Sequence, residues 1–342
     1  MGVAALAGVT ACGGRPPVEG AGAPGGDPVI VPEVLAEIDG QPITRAEVDA
    51  RIRGRLVALR QQEYELRRQA IEQIVDERIF EREAARRGLS RTELLQREVE
   101  DQIPRPSAKE VETFFEANAA TMRGRSLDQV RGAIEEALRD DGRKARTAEL
   151  RLELEREARV RVLLEPLRHE VPIPASAPSV GPGDAPVTIV QFTDYQCPYC
   201  RQAHPTVARL SQEYAGRVRL VFRDFPLDFH ERAFAASKAV RCAAEQGRFW
   251  GYHSGLFETP SDYSDDDFRK RAVDLGIDQE AFDSCRASPR HDGSIESAMA
   301  DGQKLGVTGT PTYFVNGQML VGAPALERFR RIIDAELTRS SS

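Results

Sequence analysis

The chain has 342 residues, 41% of them hydrophobic and 30% charged, with a formal net charge of −7. At about 150 residues per domain this length predicts two domains, each long enough to bury a core. No apolar run approaches the roughly 18 residues a membrane span needs, and no region carries the basic field of a nucleic-acid-binding protein, so both classes are excluded as expectations.

Residues 1–32 hold eight Gly and five Pro and only one apolar stretch, Gly2 to Ala11. This composition predicts a leader followed by a disordered tether. Val9-Thr10-Ala11-Cys12 resembles the lipobox at which bacterial lipoproteins are cleaved and acylated. The resemblance implies a lipid anchor on Cys12 and a place on the outer side of the cytoplasmic membrane or on the outer membrane. The competing reading is a chance cysteine in a low-complexity leader, because no Lys or Arg precedes the apolar stretch.

Residues 33–170 read as a helical domain. Over 33–174 the chain is 40% charged and has only four aromatic residues, Tyr64, Phe80, Phe114 and Phe115, which suits surface-rich helices around a thin aliphatic core. Thr44 with Glu47, Ser90 with Glu93, Ser107 with Glu110 and Ser126 with Gln129 fit the capping box, predicting at least four helices. Ile71, Ile74, Val75, Ile79 and Phe80 recur at helical spacing, and Gly88 stands where a left-handed cap would end the run. Leu35–Ile38 and Val160–Leu164 are short extended candidates that could pair with each other. The stretch Ala36-Glu37-Ile38-Asp39-Gly40-Gln41-Pro42-Ile43-Thr44, the Glu47 helix, the Ile71–Gly88 helix and the Ser107–Phe115 helix together resemble the N-terminal domain of SurA-type periplasmic chaperones. No parvulin-like stretch fits between Asn118 and Val171, so the resemblance implies polypeptide binding or scaffolding and not proline isomerisation. A helical spacer that holds an enzyme off the membrane is the alternative.

Five prolines between Val171 and Pro186 mark a linker, over about 171–184. Beyond it, Val187-Thr188-Ile189-Val190-Gln191-Phe192 suits a buried central strand, running into Cys197-Pro198-Tyr199-Cys200 and a helical stretch to about Tyr214. A cysteine at a helix start faces unpaired amides and the positive end of the macrodipole, both of which favour thiolate. Cys197 is therefore the expected nucleophile. Cys200, one turn on, can close a disulfide with it and expel a substrate thiol, and Pro198 suits the first turn, where no N–H is needed. Zinc held by Cys197, Cys200 and His204 is the chemical rival, although a closed site usually takes four ligands and the chain has no second Cys-x-x-Cys. A purely structural 197–200 bridge would add little constraint to the unfolded chain.

Phe192-Thr193-Asp194-Tyr195-Gln196-Cys197-Pro198-Tyr199-Cys200, Arg223-Asp224-Phe225-Pro226-Leu227, Gly247-Arg248-Phe249-Trp250 with His253, Leu256 and Phe257, and Gly306-Val307-Thr308-Gly309-Thr310-Pro311 through Gly317 resemble the DsbA-like branch of the thioredoxin superfamily. They spread over 185–338. The resemblance implies an α/β thioredoxin fold with a helical insertion at about 229–304, preceded by the mainly α-helical domain. It implies that Pro311 is a cis-proline facing the cysteines, that the Thr310 backbone can pair with an extended substrate, and that Pro198 and Tyr199 tune the site. It further implies a second disulfide, Cys242 with Cys285, the alternative being two buried free thiols. Two departures stand out. Gln191 takes the place where many relatives carry a proton-shuttling Glu, and Pro-Tyr replaces the Pro-His of the strongest oxidases, which predicts a milder oxidant. Phe249, Trp250 and Phe257 read as core, and Asp265-Asp266-Asp267 as a solvated helix start; His230, His253 and His291 lack triad-like companions. The function expected is extracytoplasmic thiol–disulfide exchange on unfolded or partly folded secreted proteins, with no bound cofactor or metal and a membrane redox partner to reset the cysteines. The alternative is a chaperone or assembly factor whose thioredoxin-like domain serves recognition.

Overall fold

The computed structural model describes residues 31–122, 124–259 and 262–340. Cys12 and its lipobox-like context lie outside the described residues. The chain divides into two compact units, 1–52 and 53–342, with the division falling inside the first helix.

Strands β1 (Val34–Ile38) and β2 (Gln41–Thr44) form an antiparallel hairpin. Asp39 and Gly40 turn it with φ of 50° and 76°, the left-handed pair that an Asp-Gly hairpin uses. Leu35–Ile38 thus pairs with its neighbour and not with Val160–Leu164, which forms no strand. The local partner wins because a two-residue loop closes at a far smaller entropic cost than a loop spanning the whole region.

Helix α1 runs unbroken from Arg45 to Arg87, joining the two helices expected around Glu47 and Ile71. The residues between them are mostly Arg, Leu, Gln and Glu, strong helix formers with no proline to interrupt them. Gly88, at φ 66°, ends α1, with Leu89 N–H closing onto Ala84 O. Helices α2 (Arg91–Glu98) and α3 (Ala108–Ala117) start at the complete capping boxes of Ser90 and Ser107, and α4 (Leu127–Ala158) starts where Gln129 reaches back to the Ser126 N–H. Phe80, Ile79 and Leu94 pack against Leu150 and Leu154, while Val111 packs against Val130 and Ile134. Ile74, on the predicted apolar face of α1, remains 46% exposed.

The second half of the chain is built on a five-stranded sheet of order β3-β5-β4-β6-β7: Ser179–Val180, Val218–Asp224, Val187–Thr193, Thr312–Val315 and Gln318–Val321. β4 and β5 are parallel and every other pairing is antiparallel. Central β4 is buried on both faces, as its β-branched run predicts. Ile189, Tyr313 and Val315 pack under α5 (Pro198–Glu213) and α11 (Leu326–Ser340), and Val190, Phe192 and Phe314 fill the opposite face. Five helices stand between β5 and β6: α6 (Ala233–Glu245), α7 (Phe249–Glu258), α8 (Asp265–Asp274), α9 (Gln279–Ala287) and α10 (Asp292–Lys304). The proline-rich stretch is more than a spacer. Its Ser179–Val180 pairs with β5, and Pro178 O accepts the Phe222 N–H at 2.9 Å.

An open edge on β7 would invite pairing with other chains, and two segments cover it. His169 N–H donates to Gly317 O at 2.9 Å, and Gln61 of α1 reaches Met319 O at 3.5 Å. α1 also crosses close to the end of α10. A side chain at Gly54 would collide with Gln303 O, and one at Gly306 would come within 2.9 Å of Ala58 N. Nearby, Glu336 of α11 is 2% exposed and accepts from Arg168, Gln318, Arg339 and Asn316 at 2.6–3.1 Å. Burial alone would raise its pKa, yet these donors, Arg168 first, hold it at about 2. The stabilisation is therefore present above the ordinary carboxylate value of 4.5 and is lost as pH falls from there through about 2. Glu336→Gln should cost about 2–3 kcal/mol at neutral pH. In urea unfolding the difference from wild type should shrink below about pH 4; a constant difference would place its origin in packing.

Candidate active site

β4 delivers the chain to a three-residue loop, Asp194-Tyr195-Gln196, and Cys197 then takes the N-cap of α5 with Pro198 in its first turn. The loop is fixed from two sides. Asp194, with no exposed surface, accepts the N–H groups of Gln196 (2.7 Å) and Cys197 (3.2 Å) on Oδ1, and the Leu227 N–H and His230 Nδ1 (both 2.8 Å) on Oδ2. Tyr195 is held by Tyr263, whose hydroxyl donates to its carbonyl at 2.6 Å, and by His253 Nδ1 at 2.9 Å from its own hydroxyl. His253 packs among Phe222, Phe249 and Phe257; burial, followed by His204, lowers its pKa to about 3, so the ring is neutral. None of these partners was legible as a site residue. His230, His253 and Tyr263 lie tens of residues from Cys197, and only Asp194 stands in the motif itself.

Cys197 and Cys200 are free thiols brought together on one face of α5, 4% and 0% exposed, while Tyr199 between them is 61% exposed. The bond Thr310–Pro311 is cis, and Cys197 Sγ lies 3.2 Å from Thr310 O. The Cys197 pKa is lowered to about 5. The largest cause is the Cys200 thiol, which donates to the Cys197 sulfur; it outweighs desolvation, and the Thr310 side chain and the N–H groups of Cys200 and Tyr199 add to it. The helix-start amides that the sequence pointed to are therefore the lesser contribution. Burial pushes Cys200 the opposite way, well above an ordinary thiol, and the neighbouring Cys197 reinforces the shift. One thiol is ready as a nucleophile and the other keeps its proton.

Cys242 of α6 and Cys285 of α9 are joined in a disulfide and belong to the same buried cluster as the redox pair. His291 lies beside them and is bound to Glu245 at 2.9 Å. His204 turns Nε2 to Glu258 at 3.3 Å. Trp250, read as core, is 36% exposed and sits at the rim, with its edge on Phe222. Gln191 is buried opposite Tyr313, and its Oε1 has no partner. No carboxylate occupies the expected place.

Residues 175–335 match the sequence family described as Thioredoxin. That match coincides with the five-stranded sheet and the helices inserted in it. The C-terminal domain has a thioredoxin fold. A segment of 139 residues, 40% of this chain, is 40% identical to the Na(+)/H(+) antiporter NhaA 3 of Salinispora tropica and covers 21% of that protein. NhaA 1 of Salinispora arenicola is 38% identical over 150 residues, 22% of its length. The chain thus spans about a fifth of the length of the curated relatives it matches. No helix among the described residues is long and apolar enough to cross a membrane. Among solved structures, a thioredoxin-like oxidoreductase from Silicibacter pomeroyi is 30% identical, with 48% of this chain and 94% of that chain covered at a TM-score of 0.45. The thiol-disulfide exchange protein alpha-DsbA2 from Wolbachia pipientis is 22% identical, with 47% and 87% covered at a TM-score of 0.44.

The difference between the two thiols is directly measurable. Brief iodoacetamide treatment of the reduced protein at about pH 6, where an ordinary thiol of pKa about 8.5 is almost wholly protonated, should alkylate Cys197 and spare Cys200. The labelling rate should titrate with a midpoint near 5. Peptide mapping that found Cys200 modified first would reverse the two roles.

Proposed function

We propose that the protein is an extracytoplasmic thiol–disulfide oxidoreductase acting on cysteines of unfolded or partly folded secreted proteins. The observation that carries this reading is the buried pair itself: a Cys197 thiol at about 5, 3.2 Å from the carbonyl that precedes cis Pro311, beside a Cys200 thiol raised well above the ordinary range. In one direction the Cys197 thiolate attacks a substrate disulfide, forming a mixed disulfide and releasing one substrate thiolate. Cys200 then gives up its proton and attacks Cys197 Sγ, expelling the second substrate thiolate and leaving the 197–200 disulfide. In the other direction a substrate thiolate attacks Cys197 of that disulfide and Cys200 leaves. Electrons pass only between sulfurs, so no bound cofactor is required, and a membrane redox partner resets the pair between turnovers.

The Cys242–Cys285 disulfide supports an oxidising compartment, since structural disulfides persist there and are rare in the cytosol. For the helical region we propose substrate capture or spacing in the manner of SurA-type chaperones. Leu59 and Leu66, one heptad apart on α1, are about 60% exposed and offer apolar contact to an unfolded chain. A chaperone whose thioredoxin-fold domain serves recognition is the second reading that these leucines favour.

Insulin reduction and refolding of reduced ribonuclease separate the two readings. The wild type should be active in at least one assay and Cys197→Ser inactive in both, whereas equal behaviour would leave only the chaperone reading. Membrane attachment is proposed through acylation of Cys12. Palmitate incorporation in a bacterial host should vanish in Cys12→Ser, and its persistence would eliminate that anchor.

A further inference from the structure

Away from the redox pair, the described residues hold a cluster of metal-ligating side chains. The sulfurs of Cys242 and Cys285 and a ring nitrogen of His291 lie within 4.8 Å of one another. They come from three helices: Cys242 from the interior of α6, Cys285 from the last turn of α9, and His291 from the N-cap of α10. Glu245, one turn after Cys242 on α6, has its Oε1 2.9 Å from His291 Nε2, and Nδ1 makes no hydrogen bond among the described residues. A carboxylate on one ring nitrogen is the usual outer partner of a metal-bound imidazole, because it fixes the ring and makes the other nitrogen a better ligand. Both cysteines are buried, but the His291 side chain is 20% exposed, which gives an ion a way in from solvent. The two sulfurs are joined to each other in the structure, so a metal can reach them only after reduction.

We propose that Cys242 and Cys285, once reduced, bind a zinc ion together with His291, with water in the fourth position and Glu245 orienting the imidazole. The inference does not depend on the oxidoreductase reading. Two thiolates and an imidazole are a donor set that suits this borderline-soft ion. Zinc–sulfur bonds of about 2.3 Å place the two sulfurs about 3.8 Å apart, within what two cysteines can span when their Cα atoms are 5.8 Å apart. A dithiol reductant supplies the electrons. One of its thiolates attacks a sulfur of the 242–285 bond, its second thiol resolves the mixed disulfide, and it leaves as a cyclic disulfide while the protein keeps two thiols. Zn²⁺ then displaces both thiol protons to solvent, and no further electron moves. The ion takes over the task of the disulfide, tying α6 to α9 and adding the start of α10. Cys242 and Cys285 belong to the buried cluster that also holds Cys197 and Cys200, so the zinc tie holds the insertion around the redox pair when the disulfide cannot.

The test uses the full chain carrying Cys12→Ser, Cys197→Ser and Cys200→Ser, which leaves Cys242 and Cys285 as its only cysteines. After reduction by a phosphine, and removal of the phosphine without air, Co²⁺ should bind at one ion per chain. Its spectrum should show thiolate charge transfer and the visible bands of a tetrahedral ion, and Zn²⁺ should displace it. The oxidised protein should bind neither ion. His291→Ala should weaken binding at least tenfold, and Glu245→Gln about tenfold. Zn²⁺ should raise the urea midpoint of the reduced protein and leave that of the oxidised protein unchanged. A reduced protein that takes up no cobalt overturns the site. So does an H291A that binds as tightly as its parent, because two thiolates alone would then account for the metal. A reduced chain that is unfolded and stays unfolded with Zn²⁺ also overturns it, since the fold would not then assemble the ligands. An E245Q with the affinity of its parent overturns the orienting role of Glu245.

Discussion

The site depends on one buried carboxylate. Asp194 has no exposed surface, and an ionised carboxylate placed there without partners would cost several kcal/mol. It is satisfied by four donors from three places: the loop before α5, the backbone at Leu227, and His230. The carboxylate can be desolvated only when all of these converge, so the loop geometry and the placement of the 225–230 segment are set together. From that point Cys197 can stand only at the N-cap of α5. Tyr195, fixed by Tyr263 and His253, supports the same loop from the insertion side, so the helical insertion is part of the site and not an appendage.

The unequal behaviour of the two thiols follows from this placement. Cys197 lies at the edge of the buried region with donors on several sides, whereas Cys200, one turn deeper, has fewer donors and more desolvation. Neither shift exists alone, since the proton that Cys200 keeps is the one that it donates to Cys197. The Thr310 loop completes the arrangement. It follows α10 and passes Gly306, where only glycine allows the approach of Ala58 on α1. α1 thus packs directly against the chain that leads to Thr310 and Pro311.

How much of this was legible in the sequence varied with the range of the interactions. A strand followed by Cys-Pro-Tyr-Cys and a helix is a local pattern, and it read directly. The capping boxes at Ser90 and Ser107 and the left-handed Gly88 read directly for the same reason. In α1 a capped start and a separate periodic run look like two helices in the sequence, although nothing between them stops one. Leu35–Ile38 pairs across the adjacent Asp-Gly turn, a local signal that outweighs the distant extended stretch 160–164. The ties of His230 to Asp194 and of His253 to Tyr195 could not be seen at all. Each joins residues separated by 36 or 58 positions, and no local pattern links the two ends.

The substitution of Pro-Tyr for Pro-His predicted a weakly stabilised thiolate, and the structure changes the weight of that argument. A thiolate is stabilised by whichever donors act on it, and here the largest is the Cys200 thiol, with no side chain of the dipeptide among the causes. A Cys197 pKa of about 5 lies between the roughly 7 of thioredoxin and the roughly 3.5 of DsbA. The missing histidine therefore moderates the site less than the motif suggests.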